Sequence, residues 1–141
     1  KARRITSRSK HENRMDAAAY WQARIIDLTE CLEQTHLPGG TVNFNLVLTD
    51  PIERLLGRED KWRGISGNYV VTLGPSSCAI PGNKEGLPTL KASVNAFTRL
   101  WLGVRPASGL AWTDRLSGPP ELLQRLDAVL CPPQPVIDWD F

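Results

Sequence analysis

The sequence has no apolar run approaching the roughly 18 residues needed to cross a bilayer, and it does not open in the charged-then-apolar order of a secretory signal. These two absences point to a soluble, cytoplasmic chain. Cysteine is scarce: Cys31, Cys78 and Cys131 lie far apart, with no C-x-x-C pair. A disulfide framework or a zinc site needs closely spaced ligands, so neither is expected. Reduced, buried or half-buried thiols fit the same compartment. Histidine is scarcer still, and only His11 and His36 could act as bases near neutral pH. His11 sits among basic residues, and His36 stands beside a helix end, where a dipole or surface role is its ordinary use.

The motifs of common chemistries are also missing. There is no G-x-x-x-x-G-K-[ST] phosphate cradle, no G-x-G-x-x-G turn and no G-x-S-x-G nucleophile elbow. Arg54 to Glu59 begins an [QR]-x-x-G-x-[GA] acetyl-CoA loop but lacks its closing small residue. Asp138 and Asp140 are paired in an extended tail, where solvation is the default for a carboxylate. No catalytic constellation emerges from the residues themselves.

What is present is an ordinary globular composition over 141 residues, 41% hydrophobic and 23% charged, enough for one domain with one core. The net charge of +2 is unevenly spread. Six of the 17 basic side chains and one of the 15 acidic ones fall in residues 1–14, so the remainder is net negative by three. Residues 1–15 therefore read as a basic, solvated tail and 16–141 as the domain. Without interleaved aromatics the tail is no platform for nucleic acid.

Along the chain, Trp21, Ile25, Leu28 and Leu32 recur at helical steps. Asp27 and Glu30 also form a cap-like start three residues apart. One long helix from Asp16 and a break followed by a helix from Leu28 are both compatible with this pattern. Thr41 to Thr49 alternates as a strand and stops at Asp50-Pro51. Ile52 to Lys61 reads as a charged short helix or loop. Trp62–Ser66 and Tyr69–Leu73 read as two arms of a hairpin turning at Gly67-Asn68, and Gly74–Gly86 as a loop. Leu87–Ala92 predicts a further strand leading into a helix capped by Ser93 and ended at Gly103. Pro106–Trp112 predicts a short helix. Pro119-Pro120 opens a last helix with a stripe of Leu122, Leu123, Leu126, Val129 and Leu130. Strands and helices that do not strictly alternate imply an α+β layer, helices on one face of a mostly antiparallel sheet.

Val94, Phe97 and Trp101 share a helix face that, with Leu126, either fills a core or lines a pocket for an apolar ligand. Arg105, in the turn after that helix, is suited to a carboxylate or phosphate, or to helix carbonyls or Asp114.

Three segments carry a resemblance: residues 21–27; Leu46 to Pro51; and Leu100 to Ser108, with the chain closing at Asp138-Trp139-Asp140-Phe141. In that order they resemble the C-terminal sterol-carrier-like domain of Eis-type N-acetyltransferases, over about residues 20–141. The resemblance implies about five strands with helices packed on one face, and favours the break before Leu28. It implies a non-catalytic domain that helps shape an amine-substrate site, with the carboxylate of Phe141 acting as a base. It also implies that the chain binds no cofactor and cannot acetylate alone, acetyl-CoA being held by acetyltransferase domains in cis or in trans. In free-standing proteins of such a fold the sheet and helices enclose a tunnel for lipids. The alternative is therefore a carrier for a lipid or other apolar small molecule, with Val94, Phe97, Trp101, Leu126 and Arg105 as binding residues. A homo-oligomer is a further admissible partner; nucleic acid, a metal and a membrane-spanning segment are not expected.

Overall fold

A computed structural model describes residues 22–130. The basic tail, Trp21, Cys131, Asp138, Trp139, Asp140 and the Phe141 carboxylate lie outside the described residues.

The first described residues are extended, and α1 (Leu28–Glu33) begins only where Asp27 caps it, its side chain accepting from Glu30 N–H at 3.0 Å. The long-helix alternative fails because of a contact made far along the chain. Ile25 gives its N–H to the hydroxyl of Thr98 at 3.2 Å, so that donor is not available to a helical turn. Strand β1 (Val42–Thr49) is central. It is flanked by β2 (Gly67–Leu73) and β4 (Thr89–Ser93), with β3 (Cys78–Pro81) and β5 (Leu116–Ser117) at the edges, giving the order β3-β2-β1-β4-β5. Three of the four pairings are antiparallel, and β1 with β4 is parallel.

Two expectations are corrected here. Gly67 and Asn68 do not turn a hairpin: both lie inside β2, where Gly67 faces Leu48 and Asn68 faces Val47. The reversal is made instead by the long segment 50–66. The Gly74–Gly86 stretch is not all loop, because its centre forms β3 against β2, with Ala79 opposite Val71. A four-residue edge strand between glycines and prolines leaves little periodicity to read.

The inward sides of the strands, Val42, Phe44, Leu46, Leu48, Val71, Leu73, Ala79, Leu90 and Ala92, are buried. They lie under α1, α2 (Val94–Trp101), α3 (Ala107–Thr113) and α4 (Pro120–Val129). Helix α1 lies against β3, α2 against β4 and α4 against β1. Ser93 caps α2 as expected, accepting from Ala96 N–H at 3.2 Å. Gly103, at φ +66°, ends it: the Gly103 and Val104 amides bond back to the Leu100 and Arg99 carbonyls at 3.0 Å each. On the outer side of the sheet, Asn43, Asn68, Ile80 and Lys91 are exposed. Among the described residues no helix is long and apolar enough to cross a membrane.

Candidate functional site

The residues predicted to bind a ligand do not gather at one opening. Val94, Phe97 and Leu126 are 0–2% exposed and belong to one contiguous core. Arg105 is exposed in the turn between α2 and α3. Asp114, one of the partners expected for it, instead takes Arg99, whose Nη1 reaches both carboxylate oxygens at 2.8 and 2.9 Å. Trp101, of the predicted set, lines a groove among the described residues. It is half-buried, and its indole N–H donates to Thr35 Oγ1 at 2.8 Å, while Thr35 in turn donates to the Cys31 carbonyl at 2.7 Å. The ring is thereby pinned to the end of α1.

The open groove beside it, about 470 Å³, runs between the segment before α1, α1 itself and the end of α2, lined by Arg24, Ile26, Asp27, Glu30, Cys31, Gln34 and Trp101. Burial raises the Cys31 thiol above its ordinary range, and the negative charges of Asp27 and Glu30 raise it further. Burial likewise raises the Tyr69 hydroxyl, with Asp27 adding to the effect.

A second place, which the sequence reading missed, is centred on Asp50. Its side chain is fully buried and accepts from Ile52 N–H at 3.0 Å, Ile65 N–H at 3.1 Å and the Arg24 guanidinium. Its own N–H donates to Ser66 Oγ at 2.7 Å. The Arg24 guanidinium also stands 5.4 Å from the Trp62 ring centre, a cation–π distance. Burial opposes ionisation of Asp50, but the two amides and Arg24 outweigh it and hold the carboxyl below its usual range. The signal available in the sequence was Asp before Pro, an Asx-turn cue, there read only as a strand stop. Gly64 closes the ring around the carboxylate. It sits at φ +83°, and a Cβ there would lie 2.9 Å from Asp50 Oδ2 and 3.0 Å from Ile52 Cγ2. Gly64→Ala is therefore expected to cost about 1–3 kcal/mol, read as a lower urea midpoint with an unchanged denaturant slope.

Asn45 was also missed. Its side chain, buried on the outer side of β1, donates to the Lys84 and Leu87 carbonyls at 2.8 and 3.2 Å and accepts from Lys84 N–H at 2.9 Å. It thus clamps the β3–β4 loop across the sheet. Over the β1–β4–β5 end of that side runs an open groove of about 420 Å³, with Lys91, Asp114 and Arg115 among its lining residues.

The partial acetyl-CoA loop is not a cradle. Gly57 N–H donates to the Asp60 carboxylate at 2.6 Å, and the Gly57 carbonyl takes Arg63 at 2.7 Å, so the turn is closed by its own side chains. Among the described residues, no three His, Cys, Asp or Glu side chains are placed to hold a metal, and Cys31 and Cys78 are free.

Set beside known proteins, residues 28–138 match the sequence model of the sterol carrier protein domain. The chain belongs to that family. Among solved structures, this sterol carrier protein domain is similar to a GCN5-related N-acetyltransferase from Kribbella flavida at 18% identity and TM-score 0.63. That match covers 79% of this chain and 26% of the other. It is similar to a GCN5-related N-acetyltransferase from Anabaena variabilis ATCC 29413 at 19% identity and TM-score 0.58, with the same coverage. A third similarity is to a conserved protein of unknown function from Enterococcus faecalis V583, described as a probable N-acyltransferase. Identity there is 27% and TM-score 0.56, covering 76% of this chain and 25% of that one. The sterol carrier protein domain thus spans about a quarter of the length of the solved structures it matches. No curated protein matches it.

Proposed function

We propose that this sterol carrier protein domain is the accessory part of an Eis-type N-acetyltransferase, shaping the amine-substrate site and lending it a C-terminal carboxylate. The observation that carries the reading is the coverage: the fold recurs as about a quarter of proteins described as GCN5-related N-acetyltransferases. The packing of Val94, Phe97 and Leu126 into one core supports a scaffolding role for those residues rather than ligand contact. In this reading acetyl-CoA is held by acetyltransferase domains in cis or in trans, in the cytoplasm. The Phe141 carboxylate accepts a proton from the amine. A chain-end carboxyl has a reference pKa of about 3.3–3.7, so the surrounding domains must desolvate it to make it a competent base.

The test is reconstitution. Adding this chain to a matching acetyltransferase half is expected to restore amine-dependent acetylation, and deleting Phe141 to lower the rate about 100-fold, the range of general-base catalysis. Restored activity indifferent to that deletion would remove the terminus from the mechanism. No restoration would contradict the accessory role.

A further inference from the structure

We propose that the Trp101 groove binds a small organic cation: a primary amine carried on a ring or short alkyl chain. Three features of the groove converge on that chemistry. Ile26, Cys31 and Trp101 provide an apolar wall, and Asp27 and Glu30 stand exposed beside it as two carboxylates. Among the described residues of the lining the cation is Arg24, and it does not cancel them, because its guanidinium is committed to the buried Asp50 and to the Trp62 ring. The groove is therefore an apolar surface under net negative potential.

The shape suits the occupant. About 470 Å³ lies within the range of small-molecule sites. The Trp101 ring is held in place through Thr35, so the apolar wall is formed before binding and little side-chain freedom is lost. An ammonium gains from both carboxylates and from proximity to an indole. A neutral analogue of equal size keeps only the apolar contact, and an anion is repelled. That the bound amine is also the molecule acetylated rests on the function proposed above; binding to this chain does not.

The experiment is a ¹H–¹⁵N NMR titration of the full 141-residue chain at neutral pH with 2-phenylethylamine, 2-phenylethanol and 3-phenylpropionate. The amine is expected to shift the Trp101 indole N–H and the amides of residues 27–34 saturably, with a dissociation constant on the order of a millimolar. The alcohol should bind about tenfold more weakly and the carboxylate not at all. Glu30→Gln and Asp27→Asn should each weaken the amine about threefold. Both leave the fold intact, since Glu30 is exposed and asparagine retains the cap acceptor that Asp27 provides. Shifts confined to other residues, equal affinity for amine and alcohol, or indifference to both substitutions would each overturn the proposal. Since acetyl transfer is not read, its failure and that of the accessory role are separable.

Discussion

Replacing Asp50 by alanine is expected to remove about 3–5 kcal/mol of stability, the cost of breaking a buried ion pair from one side. The carboxylate is the common acceptor for Ile52 N–H, Ile65 N–H and the Arg24 guanidinium. Without it two amides and one cation lose their partner together, and the segment 50–66 loses the point around which it folds. Arg24→Ala should cost less, because the two amides still satisfy the carboxylate and Arg24 is partly exposed. The double variant should cost less than the sum of the two, which a double-mutant cycle reads directly. The pH dependence follows from the lowered folded-state pKa of Asp50. Its stabilisation is fully present above the unfolded value of about 3.9 and is lost as pH falls through the folded one. Urea midpoints should therefore drop below about pH 4 in the parent chain, and more shallowly there in Asp50→Ala. Equal slopes in the two proteins would take Asp50 out of the linkage.

Phe97→Ala is expected to destabilise by about 3–5 kcal/mol, the usual cost of emptying an aromatic site in a packed interior. Phe97 is 2% exposed within a core that also holds Val94, Leu100 and Leu126. The magnitude separates two roles for the same side chain. A phenylalanine lining a hydrated tunnel has few partner atoms to lose, and its truncation costs little and widens the space for ligand. One that fills a core leaves a cavity whose surroundings relax only in part. A loss under about 1 kcal/mol, measured by urea unfolding at unchanged slope, would contradict the packed reading.

The legible parts of this fold are those whose information is local. Asp27, Ser93 and Gly103 mark helix ends because each acts within three or four residues. The α4 stripe is readable because Leu122 and Leu126 turn to the same side every 3.6 residues and are both buried. Strand β1 is readable because Val42, Phe44, Leu46 and Leu48 put an apolar residue at every second position of its inward side. What escapes is long-range. Ile25 is kept out of a helix by Thr98, 73 residues away. Asn45 looks like one more polar residue on an exposed side until the loop around Lys84 and Leu87 closes over it. Gly67-Asn68 has the composition of a tight turn, yet β1 claims both residues for its ladder. At the candidate groove, Trp101 was readable as an apolar helix residue of a core or a pocket wall. Its acidic neighbours Asp27 and Glu30 were readable only as a helix start, since no local pattern shows that α1 and the end of α2 share a wall.

The measurement that bears most directly on a scaffold with a filled interior is displacement of a fluorescent fatty acid from the full chain. With Val94, Phe97 and Leu126 packed against one another's neighbours in a single core, no saturable acyl site is expected at micromolar probe, and native mass spectra should show the bare chain mass. One acyl chain held per protein, displaced by lipid and lost in Leu126→Trp, would instead make this domain a carrier in its own right.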